Sequence, residues 1–124
     1  ISLAIAVLVS YFWVLRDGAG IAAAQSAAFA AWLLGHLVLA AYLRAERHPL
    51  PVRALVANRM YLLWVAGVLA LLTLGVTIPF VQARLHLVAL SLTARAVVVA
   101  AALVFPSLWG ALNRSTRVRS KEER

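Results

Sequence analysis

Most of this chain consists of long apolar runs, and none of them contains an Asp or a Glu. All four carboxylates (Asp17, Glu46, Glu122 and Glu123) lie outside the runs. Crossing ~30 Å of hydrocarbon at 1.5 Å per residue takes about 20 residues. Ala22–Leu43 and Met60–Phe80 meet that length, and Leu87–Leu112 does so with Arg95 and Pro106 inside it. Ile1–Leu15 would be only ~22 Å long as a helix, about five residues short of a span. Because the chain opens on Ile, the expectation is a fragment cut inside or just before a membrane helix.

Composition agrees with lipid as the solvent. Hydrophobic residues make up 65% of the chain and its mean hydropathy is +0.93. Soluble domains carry ~45–50% apolar residues, and 124 residues offer too little interior to hide the excess. Only 13% of residues are charged, clustered in short connecting segments. Cysteine is absent, so disulfides, zinc–thiolate sites and iron–sulfur clusters are excluded. A cleaved signal peptide competes for the first run, with Ala22-Ala23-Ala24 as its cleavage site. Arg16 and Asp17 intervene, however, and no basic n-region precedes it.

The expected fold is therefore all-α: a polytopic membrane protein forming a four-helix transmembrane bundle. It comprises a single domain over 1–124, with helices near 1–16, 22–44, 59–80 and 90–112 and a basic tail over 113–124. Orientation follows from charge. Arg44, Arg47, Arg53 and Arg59 sit between the second and third runs, and Arg114, Arg117, Arg119, Lys121 and Arg124 follow the last. The opposite turns hold only Arg16 and Arg84. This bias puts the loop, the tail and both termini in the cytoplasm, with the plasma (inner) membrane as the expected location. The net charge of +8 reads as topology and a weak pull toward anionic lipid, leaving nucleic acid no role.

Connections are short and punctuated. Asp17-Gly18-Ala19-Gly20 predicts a tight turn, and the prolines of Arg47-His48-Pro49-Leu50-Pro51 end the second helix. Pro79 opens a non-helical loop through Gln82 and His86. Ser91 or Thr93 caps the fourth helix, and Pro106 kinks it near its inner third. On the second helix Ala23, Ala27, Ala31 and Gly35 recur every four residues, a stripe that lets another helix approach closely.

Polar residues at depth are few: Ser10, Gln25, Ser26, His36, Thr73, Thr77 and Ser107. Gln25, Phe29, Trp32 and His36 fall at i, i+4, i+7 and i+11 on one helix face. Gln25 and His36 are about 16 Å apart along the axis and cannot share one coordination sphere. They are the two ion-pathway candidates, and no metal ligand set is assigned. An intramembrane histidine is either functional or a neutral imidazole bonded to a neighbouring helix. A haem site would want a second axial ligand, and no other His lies at comparable depth. Arg95 lies just inside the outer end of the last helix, where it snorkels as an interfacial anchor.

Several segments, in order, resemble one family. They are Ala24-Gln25-Ser26-Ala27-Ala28-Phe29-Ala30, then Gly35-His36, then Leu43-Arg44-Ala45-Glu46-Arg47. Asn58, Ile78-Pro79-Phe80-Val81-Gln82 and Leu90-Ser91-Leu92 follow. Together they are similar to the seventh to tenth membrane helices of P-type cation-transporting ATPases. The resemblance implies the C-terminal part of an ATP-driven pump, with ATP and magnesium handled by the parent and none bound in this chain. The Asp-Lys-Thr-Gly-Thr, Thr-Gly-Glu-Ser and hinge motifs would lie upstream. The implied partners are the upstream membrane helices and cytoplasmic domains, the bilayer and the transported cation. His36 stands where the family often has Glu or Gln; imidazole there disfavours a hard cation, because calcium and magnesium prefer oxygen. The usual acidic residue near the end of the tenth helix is missing around Ala111 and Leu112.

The expected function is a supporting membrane domain that packs against the ion-binding helices of such a pump. Alternatives are an independent small four-helix membrane protein, acting as scaffold or regulatory subunit, and a small oligomeric proton-coupled transporter. The latter would want an intramembrane carboxylate. The charge bias generates a topological prediction. Cysteines placed by Ala19→Cys and Ala83→Cys are labelled by an impermeant reagent from the extracytoplasmic side, and one placed by Ala54→Cys is not. Labelling of position 54 from outside would overturn the orientation.

Overall fold

The computed structural model describes residues 1–45 and 57–122. It consists of five α-helices with no strand among the described residues: α1 (Ser2–Arg16), α2 (Ile21–Ala45), α3 (Arg59–Thr77), α4 (Pro79–Leu85) and α5 (Leu92–Glu122). Arg47–Pro51, expected to end the second helix, and position 54 fall outside the described residues. Two helices are long and apolar enough to cross a membrane, Ile21–Arg44 and Leu92–Leu112. A third span results if Arg59–Gly75 and Pro79–Leu85, bent by 102°, are counted as one. α1, at 15 residues, is too short by the same measure.

Local chemistry explains most boundaries. Gly18 (φ 80°) and Gly20 (φ 86°) take up the left-handed geometry that turns α1 into α2, at little steric cost because neither has a Cβ. Asn58 caps α3, its side chain accepting from the Tyr61 N–H at 3.0 Å. Of the two expected caps for the last helix, Ser91 serves: its hydroxyl accepts from the Ala94 N–H at 3.2 Å.

Two expectations are corrected. Pro79 begins a helix, α4, in place of a non-helical loop. Its fixed φ and missing N–H suit a first helical turn, while the residue before it is driven out of helical geometry. Ile78 is accordingly extended (φ −101°, ψ 114°), and the chain bends there. The expected span 59–80 thus ends at Thr77. The last helix passes residue 112 and runs to Glu122, so most of the expected tail is helical. No glycine or proline follows Gly110 to stop it, and a formed helix propagates cheaply. Pro106, expected to kink this helix, lies fully buried within it, and the helix continues on both sides. A proline removes one helical donor, here the one that would reach the Ala102 carbonyl; the Ser107 hydroxyl donates one residue further on, to the Leu103 carbonyl.

Packing concentrates in a trio, α1, α2 and α5, each touching the other two. Ser2, Ala6, Ser10 and Val14 are the buried face of α1. The α2 stripe is buried at Ala23, Ala27 and Ala31, together with Ala24, and α5 contributes Ala94, Val98, Ala101 and Ala102. The expected small-residue stripe is thus a packing face, and α1 answers it with a stripe of its own. Gly35 continues the α2 stripe under the Leu3 side chain, and Gly110 on α5 would place an added Cβ 2.7 Å from the Tyr42 ring. α3 stands apart, touching only α2 and α4 among the helices. The Tyr61 hydroxyl ties it on by donating to the Leu37 carbonyl at 3.1 Å. The Arg44 guanidinium lies 4.9 Å over the Tyr61 ring.

Enlarging a trio position should therefore cost far more than enlarging one on α3. Ala27→Leu forces bulk into the fully buried stripe and should destabilise by about 1–3 kcal/mol. A Cβ at Gly67 meets nothing within 4 Å, so Gly67→Ala should change stability by no more than about 1 kcal/mol. Equilibrium unfolding of the chain in mixed micelles measures both; equal effects would contradict the trio as the core.

Candidate functional site

α2 presents two different surfaces. At 100° per residue, Gln25, Phe29, Trp32 and His36 cluster on one side, roughly opposite the buried Ala23, Ala27 and Ala31. The expected row is present and ordered by its rings. Phe29 and Trp32 stack with centroids 6.2 Å apart, and Trp32 meets His36 edge-on at 4.7 Å. Trp32 is 45% exposed, Gln25 is exposed and His36 half-buried.

Of the two expected readings of His36, a bond to a neighbouring helix is not what holds its ring. Its Nδ1 lies 2.8 Å from the Trp32 carbonyl of its own helix, not of a neighbouring one. A carbonyl only accepts, so Nδ1 carries the proton, and in the neutral imidazole Nε2 presents a lone pair. No partner faces Nε2 among the described residues. The geometry thus fixes the ring through Nδ1 and leaves Nε2 available, as a proton acceptor or a nitrogen ligand.

Gln25 and His36 share a face but no site. Gln25 instead lines a recess of about 240 Å³ with Ser26, Phe29, Leu85, His86 and Leu87. Ser26 builds it: its hydroxyl donates to the Ala22 carbonyl at 2.9 Å and accepts from the Val88 N–H at 2.9 Å. That second bond pins the segment after α4 against α2. His86 closes α4 in the left-handed region (φ 51°), its N–H bonded to the Gln82 carbonyl. The proximity of His86 to Gln25 was missed by sequence reasoning, because nothing in either local pattern encodes a contact made through Ser26 and Val88.

The remaining deep hydroxyls serve their own helices. Ser10 donates to Ala6, Thr73 to Leu69 and Thr77 to Thr73, at 2.8, 2.7 and 2.8 Å. Every buried side-chain nitrogen or oxygen among the described residues has a partner. No three His, Asp or Glu side chains converge among them as a metal site would require. Arg95 sits in the first turn of α5, with Nε donating to the Leu90 carbonyl at 3.0 Å. It borders a second, larger crevice of about 310 Å³ between α2, α3 and α5, whose other lining includes Ala30, Leu34, Leu72, Val98 and Val99.

Away from the seam of the trio, large apolar side chains face outward along the helices: Phe12, Leu63, Leu69, Leu103 and Leu108 are all more than 45% exposed. With two apolar helices long enough to span, this defines an integral membrane protein. The family of the C-terminus of cation-transporting ATPases matches residues 1–114, and the chain belongs to it. Comparison with curated proteins and with solved structures gave no match.

Ser26→Ala tests how the recess is held. It strands the Val88 N–H and should destabilise by about 1–3 kcal/mol. It should also raise carbethoxylation of His86 by diethyl pyrocarbonate. Unchanged His86 reactivity and stability would show that Ser26 does not hold the segment.

Proposed function

We propose that this chain is the membrane-embedded supporting domain at the C-terminal end of an ATP-driven P-type cation transporter. In this reading α1, α2, the α3–α4 pair and α5 all cross the plasma membrane, as a four-helix bundle with both termini cytoplasmic. α2 docks on the ion-binding helices that precede it in the same pump. One observation carries the reading: the Gln25–Phe29–Trp32–His36 row lies on the side of α2 that this chain's own trio leaves uncovered. A polar and aromatic row facing lipid would be costly, and intramembrane ionisable groups ordinarily face a bundle interior or a water-filled cavity.

The division of labour follows from the donor set. The apolar runs contain no Asp or Glu, and among the described residues Asp17 sits at the α1–α2 turn, so they offer nothing at depth with which to neutralise a dehydrated cation. The residues present do not fit a nucleotide or its magnesium, and ATP chemistry is assigned to the parent's cytoplasmic domains. What this chain adds is a rigid wall, and along it Gln25 and His36 offer an amide and an imidazole to the ion pathway. Which cation passes is set by groups upstream.

The purified chain in detergent should release no phosphate from ATP and give no calcium-binding heat by calorimetry; specific cation binding by the chain alone would overturn the supporting role. In the intact pump, His36→Ala should shift ion affinity or its pH dependence while leaving unfolding within about 1 kcal/mol of wild type, as for a partly exposed site. Histidine is the side chain that changes charge near neutral pH. An unchanged pH profile would reduce His36 to a packing residue.

A further inference from the structure

The crevice between α2, α3 and α5 is a different surface from the His36 row. Ala30 and Leu34 lie roughly 140–180° around α2 from Gln25, so docking through the row leaves the crevice facing outward. Its walls are hydrocarbon apart from Thr73, Thr77 and Arg95. Both threonine hydroxyls already donate within α3. Below Arg95 the lining is therefore chiefly hydrocarbon, which suits an aliphatic chain.

At one end of the crevice stands a cation with an unmet need. Arg95 spends Nε on the Leu90 carbonyl, which orients the guanidinium and leaves its two terminal nitrogens without a partner among the described residues. α5 has no acidic residue in its first turn. The positive end of a helix dipole disfavours a cation and favours an anion, so Arg95 at this position calls for a negative partner. Asp17, the one described carboxylate with a placed side chain, lies in a separate recess with Trp13 and Arg16. From Arg95 the lining descends α5 to Val99, about 6 Å further along the axis. An anion at the mouth with an aliphatic chain below it matches this order.

We propose that this crevice is a lipid site: it seats an acyl chain of one glycerophospholipid against Ala30, Leu34, Leu72 and Val99, and Arg95 holds that lipid's phosphate. Guanidinium is suited to the task, since its fork of donors matches phosphate oxygens. Held this way, the lipid fills the gap between α3 and the trio. It would supply the contact that α3 otherwise makes only through α2 and α4.

Native mass spectrometry of the full-length protein, titrated with dioleoylphosphatidylglycerol, tests the site. Wild type should retain one tightly held lipid, and dioleoylglycerol, lacking the phosphate, should bind at least about tenfold more weakly, as expected for loss of a charge-assisted contact. Arg95→Gln should weaken phosphatidylglycerol by a similar factor, and Arg95→Lys, which keeps the charge but loses the fork of donors, should bind between the two. Val99→Trp, at a half-exposed position, should displace the lipid by filling the crevice without entering the trio, and carries the test if Arg95→Gln fails to fold. A benzophenone introduced at Val99 should capture phospholipid. Equal binding of dioleoylglycerol, undiminished retention in folded variants, or capture of an upstream helix or a second copy would overturn the proposal.

Discussion

Helices in lipid gain little by hiding apolar surface from one another, so what joins them is the closeness of their approach. In this chain that closeness comes from side chains of one to three heavy atoms. Ser2, Ala6, Ser10 and Val14 on α1 lie buried with Ala23, Ala24, Ala27 and Ala31 on α2 and Ala94, Val98, Ala101 and Ala102 on α5. Buried serines are tolerated because Ser10 and Ser26 donate to carbonyls one turn back, leaving no unmet polar group to weaken the seam. The rest of the molecule is arranged around this seam. Bulk is expelled to the outer faces, where Phe12, Trp32 and Leu103 stand exposed, and α3 hangs from α2 by the Tyr61–Leu37 bond and the Arg44–Tyr61 contact.

The same arrangement sorts the polar residues by role. Ser10, Ser26, Thr73, Thr77 and Ser107 all donate to backbone carbonyls. His36 is different: one nitrogen is anchored and the other is presented outward. Because the seam fixes the rotation of α2, it also fixes which way that nitrogen and the Gln25 amide face. The packing face and the row are thus two consequences of one helical register.

Much of this was legible in the residues. Lengths and caps pointed to the helices, with Ser91 one of two expected starts for the last, and Gly18 and Gly20 marked the turn. The Ala23–Ala27–Ala31 stripe was visible because alanine repeats stand out. Its counterpart on α1 was not, because Ser10 reads as a polar residue at depth and Val14 as ordinary membrane filler; burial by a partner helix made them a face. Pro79 was read as a breaker when its position after extended Ile78 made it a starter. Four spans were expected, yet length alone supports two, or three with the bent α3–α4 pair. The Gln25–His86 recess and the Arg95 crevice are made by loops and helices distant in sequence, and no local pattern carries them. The family, by contrast, was readable from the order of modest motifs, and the match over residues 1–114 bears it out.

The row on α2 is the proposed docking face for the rest of the pump. Oxygen accessibility of a nitroxide spin label at Trp32, compared with one at Leu69 on α3 (48% exposed), tests it directly, measured in bilayers on both the isolated chain and the intact pump. Both positions should be accessible in the isolated chain, and Trp32 alone should become shielded when the upstream helices are present. A label at Trp32 equally accessible in both settings would contradict it.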